Sequence, residues 1–360
     1  MKTDRYLPYD ADKPADSLSA LTAALKATWE SEEQDSPVFQ LLPGLEATDP
    51  ARFMPVPRDF QEKVQRFEKD KAIDQMNRLR MDVDGLDWKL SALRLIGNAQ
   101  FRLKDFAGAK TTWAQVRGYD RMDLEANTKL GTVFQKLGDI VASDQALARA
   151  IQNPSLENLE RAEIKALMGS NAKALWRQDW ENLEDTNSIQ KAALTSGHLE
   201  RSFELYRRGF IADRNHFYSG LNALSMLTIM IELATTHPDE WEAGFDFEDE
   251  ADLKLRKLKV LQSDLRAGVK LSIESKRASL ERHDKTDIWA EISSADLAFL
   301  SSSNPKRVRR AYKVALMGAP DFAMDSARKQ LVIFERLGIL SANVQAALAY
   351  FDETAMATAP

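Results

Sequence analysis

Arg94, Asn98 and Arg102 recur every four residues, and Lys136 lies exactly 34 residues beyond Arg102. On a helix the first three would share one face. A row of guanidinium and amide donors suits the gripping of carboxylates and peptide carbonyls, which is recognition chemistry and not bond-making chemistry. Reaction chemistry is poorly supplied. The chain has no cysteine, so disulfides, thiolate metal sites and thiol catalysis are excluded. Its four histidines, His198, His216, His237 and His283, are far apart and form no H-x-x-x-H pair, so no zinc site and no other cofactor is expected.

Three shorter motifs invite a chemical reading and lose it on inspection. Gly108-Ala109-Lys110-Thr111 resembles the end of a phosphate-binding loop, but Leu103 stands where the first glycine is required, and no strand precedes it. Asp82-Val83-Asp84-Gly85 places its glycine too early for a calcium loop and reads as a turn. The acidic run Asp246 to Glu250 reads as a solvated break in the pattern. With 49 basic and 55 acidic residues the net charge is −6, which disfavours nucleic acid as the main partner.

The elements that must carry the polar row repeat. Gly97 and Gly131 are 34 residues apart, and the segments around them align without a gap: Leu103 with Leu137, Asp105 with Asp139, Ala109 with Ser143, Trp113 with Leu147. A helix, short turn and helix at this period is the signature of a tetratricopeptide solenoid, an all-α superhelix of stacked hairpins. The expected repeats are Trp88 to Leu103 with Phe106 to Val116, then Leu124 to Leu137 with Ile140 to Ile151. A third unit is expected over Leu156 to Leu183 and a fourth B helix over His198 to Ile211. An apolar helix from Phe217 to Ala234, a long amphipathic helix from Leu253 to Glu281, and a last repeat near Ile288 with helix Ala323 to Leu337 as its cap follow.

Three regions result. Residues 1–57 hold seven of the twelve prolines and one amphipathic helix, Ser17 to Ser31, and read as a connector. Residues 58–338 form the helical array, and 339–360 a C-terminal helix with a tail that frays. No signal peptide is legible at the start, and the stretch Leu221 to Ala234 is too short and too often interrupted for a membrane span. The expected setting is cytoplasmic.

In this repeat class the A helices line the concave face. The expected partner groove is therefore Arg94, Asn98, Phe101 and Arg102 from one repeat with Thr132 and Lys136 from the next. Arg94 and Asn98 resemble the first half of the clamp by which chaperone-binding tetratricopeptide domains hold a peptide carboxylate; Lys129, Glu163 and Leu167 depart from its second half.

The run His216-Phe217-Tyr218-Ser219-Gly220-Leu221-Asn222-Ala223 resembles the signature of the TRAFs-binding domain of apoptosis-signal-regulating MAP3 kinases and of bacterial effector-linked relatives. The resemblance covers about Arg58 to Gly338. It implies that Tyr218, Gly220 and Asn222 are signature positions, read physically as a polar clip in a helix–helix seam where Gly220 allows close approach. Arg5-Tyr6-Leu7-Pro8-Tyr9 and the segment Asp35 to Gly44 resemble the connector between an effector module and such a domain, which implies that the chain is the scaffold portion of a longer natural protein.

The leading expectation is a non-enzymatic interaction scaffold or sensor domain in a stress, defence or signalling protein. It would bind a protein or peptide, with no membrane, and control a fused or upstream effector; oligomerisation stays open. The alternative is a small-molecule or nucleotide sensor with a pocket inside the superhelix, flanked by Arg207, Arg208, Tyr218 and Asn222. A free-standing enzyme is the third and weakest reading.

Overall fold

The computed structural model describes Thr22, residues 56–283 and residues 287–357. The expected N-terminal connector and its helix lie outside the described residues, apart from Thr22, Val56 and Pro57. Sixteen helices and no strand occupy the described residues between 58 and 357. The chain divides into two compact units, Met1–Thr112 and Trp113–Pro360.

The first unit holds α1 (Arg58–Lys69), α2 (Ile73–Asp82), α3 (Lys89–Arg102) and the start of α4 (Phe106–Tyr119). A polar relay runs through its interior. Thr112 Oγ1 donates to Gln100 Oε1 at 2.7 Å, Gln100 Nε2 to Asn77 Oδ1 at 2.7 Å, and Asn77 Nδ2 to Asp105 Oδ2 at 3.1 Å. Asp105 also caps α4 by accepting from the Gly108 N–H at 2.9 Å. A Cβ on Gly108 would stand 2.1 Å from the Asp105 carboxylate, so this glycine serves the cap and not a phosphate.

The second unit begins with the rest of α4. It continues through α5 (Leu124–Lys136), α6 (Ile140–Ala150), α7 (Asn158–Gln178), α8 (Thr186–Thr195), α9 (Gly197–Ala212) and α10 (Phe217–Thr236). Then come α11 (Pro238–Glu242), α12 (Glu248–Glu281), α13 (Ile288–Ser301), α14 (Pro305–Ala315), α15 (Asp321–Arg336) and α16 (Ser341–Ala357).

The 34-residue register is visible in the turns themselves. Lys104 and Gly138 follow α3 and α5 with φ of 62° and 81°. The next N–H groups reach back to close each helix end: Asp105 to the Gln100 carbonyl, and Asp139 to the Phe134 carbonyl, both at 2.9 Å. Asp139 then caps α6 at the Ala142 N–H at 2.9 Å, the counterpart of Asp105 at Gly108. Gly97 and Gly131 are both buried within their A helices. At Gly131 a Cβ would meet Leu147 of α6 at 2.5 Å, and Ser143 Oγ donates to the Gly131 carbonyl at 2.7 Å.

Four expectations are corrected. Residues 156–183 do not contain a hairpin: α7 is one helix, and its antiparallel mate is α9, with α8 inserted in the connection. The seam is built as in the preceding repeat, since Gly169 lies against the Tyr206 ring and Ser202 Oγ donates to the Gly169 carbonyl at 3.0 Å. The acidic run does not break the pattern throughout, because Glu248, Asp249 and Glu250 form the first turn of α12, where carboxylates oppose the positive end of the helix dipole. α15 does not cap the array, as α16 packs on α14 and α15 and sends Val344, Ala347 and Phe351 into the common core. α10 is also long and apolar enough to cross a membrane, but 78% of its apolar window is buried in the protein, where it serves as the core helix.

That core is continuous from α7 to α16. Trp176, Trp180, Phe203, Tyr206, Phe210, Phe299, Tyr312 and Phe334 are its largest pieces, all nearly inaccessible. Aromatic area on this scale dominates burial energetics and fixes how the helices stack.

Candidate functional site

The groove residues proposed from the repeat positions fall in both units. Arg94 and Asn98 are half-buried on α3, one turn apart. Phe101, also half-buried, packs edge-on against Phe106 with ring centroids 5.6 Å apart. Arg102 is committed within its own unit: its Nε and a terminal nitrogen donate to the two Glu68 oxygens at 2.5 and 2.7 Å. That hydrogen bond holds the Glu68 carboxyl below its usual range. Thr132 and Lys136 belong to the second unit; Thr132 Oγ1 donates to the Thr128 carbonyl at 3.2 Å, and Lys136 is exposed.

The second unit holds a cavity of about 280 Å³, open to solvent, between α7, α9, α10, α13 and α15. Its chemistry centres on Lys173 from α7 and Asp296 from α13. Lys173 Nζ donates to Gln330 Oε1 of α15 at 2.5 Å and lies 3.4 Å from Asn222 Oδ1 of α10. Gln330 Nε2 in turn donates to Ser225 Oγ at 2.6 Å. Behind the lining, Tyr312 OH of α14 donates to Asp296 Oδ1 at 2.5 Å.

Burial sets the charge states. Removal from water pulls the Lys173 ammonium down to about 8, with Arg177 adding repulsion and Asp296 opposing. Burial likewise pushes the Asp296 carboxyl up to about 6, against the pull of the Tyr312 hydroxyl and Lys173. Near neutral pH both groups are mainly ionised, one of each sign. Burial also raises the Tyr206 and Tyr312 phenols well above their ordinary value, so both stay hydroxyl donors.

The signature residues divide between two roles. Gly220 does lie in a seam: a Cβ there would meet Val269 of α12 at 2.7 Å and Phe210 of α9 at 2.9 Å. Tyr218 and Asn222, on the other side of α10, line the cavity instead of clipping that seam. Tyr218 meets Tyr206 edge-on at 6.2 Å between centroids. Arg207 and Arg208 do not line the cavity and turn to Glu204 at 3.3 and 3.7 Å. Lys173, Asp296, Ser225 and Gln330 went unread in the sequence. A signal existed for Asp296, a carboxylate one turn from each of the buried Ile292 and Phe299 on a mainly apolar helix. Among the described residues no group of three or more His, Asp or Glu is arranged to hold a metal.

This architecture agrees with the comparisons. Residues 105–227 match the Tetratricopeptide Repeats-Sensor family, a span that includes Thr132, Lys136, Lys173, Tyr218, Gly220 and Asn222. No curated protein matches the sequence. The fold is thus an all-α, tetratricopeptide-like helical array, and the match, which covers about a third of the chain, supports a protein-interaction or sensor role.

Proposed function

We propose that the chain is a non-enzymatic small-molecule sensor: a ligand occupies the Lys173–Asp296 cavity, and its presence is passed to a protein partner or an associated effector module. One observation carries the reading. Five helices converge on a cavity of mixed polar and apolar lining in which Lys173, Arg177 and Lys329 outnumber Asp296. Such a pocket suits a small polar molecule bearing a negative group, with Tyr206, Tyr218, Asn222 and Ser225 as orienting partners. The Lys173–Gln330–Ser225 bridge spans the cavity, so a ligand that competes for Lys173 bears directly on α15.

A protein partner also finds support beside the cavity. Trp289 lines the cavity yet is 43% exposed, and its ring lies 6.0 Å from that of Phe322, which is 62% exposed. An exposed aromatic pair continuous with the ligand wall is a surface from which a partner could read occupancy.

The test is a thermal-shift screen of nucleotides, sugar phosphates and carboxylic acids, run in parallel on wild type, Lys173→Met and Ser293→Trp. A ligand should stabilise wild type and neither variant, and it should leave the incubation chemically unchanged. Equal shifts in all three proteins, or none in any, would sink the sensor reading; turnover of the ligand would sink its non-enzymatic part.

A further inference from the structure

Away from the Lys173 cavity, three arginines converge without a carboxylate among them. Arg117 on α4, Arg121 in the following turn and Arg149 on α6 line a second cavity of about 280 Å³, completed by Phe134, Ala142 and Gln145. None of the three arginines forms an ion pair among the described residues. The carboxylates nearest in sequence are turned to the backbone: Asp120 accepts from the Met122 N–H and Asp123 from the Ala126 N–H, both at 2.8 Å.

The cluster is held in place and is not a chance of flexible side chains. Buried Asn127 accepts from Arg149 Nε at 3.1 Å through its oxygen, while its nitrogen donates to the Arg121 carbonyl at 2.9 Å and the Asp123 carbonyl at 2.8 Å. One amide thus orients the Arg149 fork and fixes the peptide from which Arg121 projects. Holding like charges together opposes folding. Burial, then Arg149 and Arg121, push the Arg117 guanidinium below its ordinary value. In a chain with 55 acidic residues and net charge −6, a pocket of three cations with no acid in its lining has an unfilled electrostatic demand.

We propose that the Arg117–Arg121–Arg149 cavity is a binding site for a phosphate monoester. Planar guanidinium forks match the oxygens of a phosphate two at a time, and a dianion offsets most of the charge that the three arginines concentrate. Phe134, Ala142 and Gln145 form the rest of the wall and give the ester's organic group apolar and polar neighbours. The same chemistry is offered by a phosphorylated side chain of a partner protein and by a phosphorylated metabolite.

The experiment measures melting of the whole chain in sodium phosphate against sodium chloride of equal ionic strength. Phosphate should raise the midpoint by a few degrees beyond chloride. In Arg121→Gln, whose side chain is exposed in a turn, that excess should vanish, while the midpoint without phosphate holds or rises as repulsion is relieved. Arg149→Lys keeps the charge but loses the fork, and should bind phosphate about tenfold more weakly. Titrations with free phosphoserine, a phosphoserine peptide and ribose 5-phosphate then separate the sources. A peptide bound more tightly than phosphoserine assigns the anion to a protein, whereas ribose 5-phosphate bound more tightly assigns it to a metabolite. Chloride matching phosphate at equal ionic strength, or an unchanged phosphate effect in Arg121→Gln, would overturn the proposal.

Discussion

Lys173 and Gln330 stand 157 residues apart in sequence and 2.5 Å apart as donor and acceptor. The bond is one of a few long-range polar ties by which α15 is held across the cavity. At the end of α15, Arg336 lies over the Trp180 ring at 5.4 Å and donates to the Glu181 and Leu183 carbonyls at 2.8 and 2.9 Å. From α8, Gln190 donates to the Leu337 carbonyl at 2.7 Å. The wall of the cavity is therefore latched by side chains, an arrangement that a competing ligand can disturb without unpacking the core.

The latch gives the first prediction. Gln330→Leu leaves a half-buried ammonium short of its best acceptor and should cost about 1–3 kcal/mol. Lys173→Met removes the half-buried charge along with its partner requirement and should be close to neutral, because a cation drawn out of water is expensive to desolvate. Combining the two should recover most of the loss. Urea denaturation of the four proteins checks this cycle, and additive losses would mean that the two side chains are not coupled.

The second prediction concerns pH. Asp296 is raised in the folded state, so its contribution is stability present below the unfolded value of 3.8 and lost as pH rises through about 6. Asp296→Asn should remove that fall, which amounts to at most about 3 kcal/mol. Lys173 is lowered, so its contribution has the opposite sense: present above the unfolded value of 10.5 and lost as pH falls through about 8. Lys173→Met should flatten the alkaline limb only. Stability profiles from pH 4 to 10 that are parallel for wild type and both variants would contradict the burial of this pair.

Legibility in the sequence followed the distance between interacting residues. The turns at Lys104 and Gly138 were readable because a helix end, its left-handed residue and the next cap occupy a few consecutive positions that recur at a fixed offset. The α7–α9 pairing was not, because α8 intervenes and moves Ser202 to 33 residues beyond the Gly169 it bonds, against 12 for Ser143 and Gly131. Tyr218 and Asn222 were picked out by their motif, yet their surroundings come from helices far along the chain. The cavity brings Lys173 together with Asp296 and Gln330, and no local spacing encodes that encounter.

Gly220 supplies the third prediction. Two side chains from different helices, Val269 and Phe210, already occupy the space of any added carbon, at 2.7 and 2.9 Å. Gly220→Leu should lower stability by about 1–3 kcal/mol through overpacking, with Gly220→Ala losing less. Thermal melts of both variants measure it. An unchanged midpoint would mean that α9, α10 and α12 can separate without cost, against the close seam described above.

The last prediction uses the matched turns. Lys104 at φ 62° and Gly138 at φ 81° serve the same closing role one period apart, with different residue types. A Cβ in the left-handed region meets the backbone and costs roughly 1 kcal/mol, a penalty from which glycine is exempt. Gly138→Ala should therefore destabilise by about 1 kcal/mol, although nothing lies within 4 Å of the added carbon. Lys104→Gly should do the reverse, gaining several tenths of a kcal/mol as relief of strain outweighs the added freedom of the unfolded chain. The two changes act at separate helix ends, so the double variant should return close to wild type in chemical denaturation. If Lys104→Gly destabilises instead, the lysine side chain contributes something at that turn which backbone conformation does not explain, and the equivalence of the two repeats would stop at the main chain.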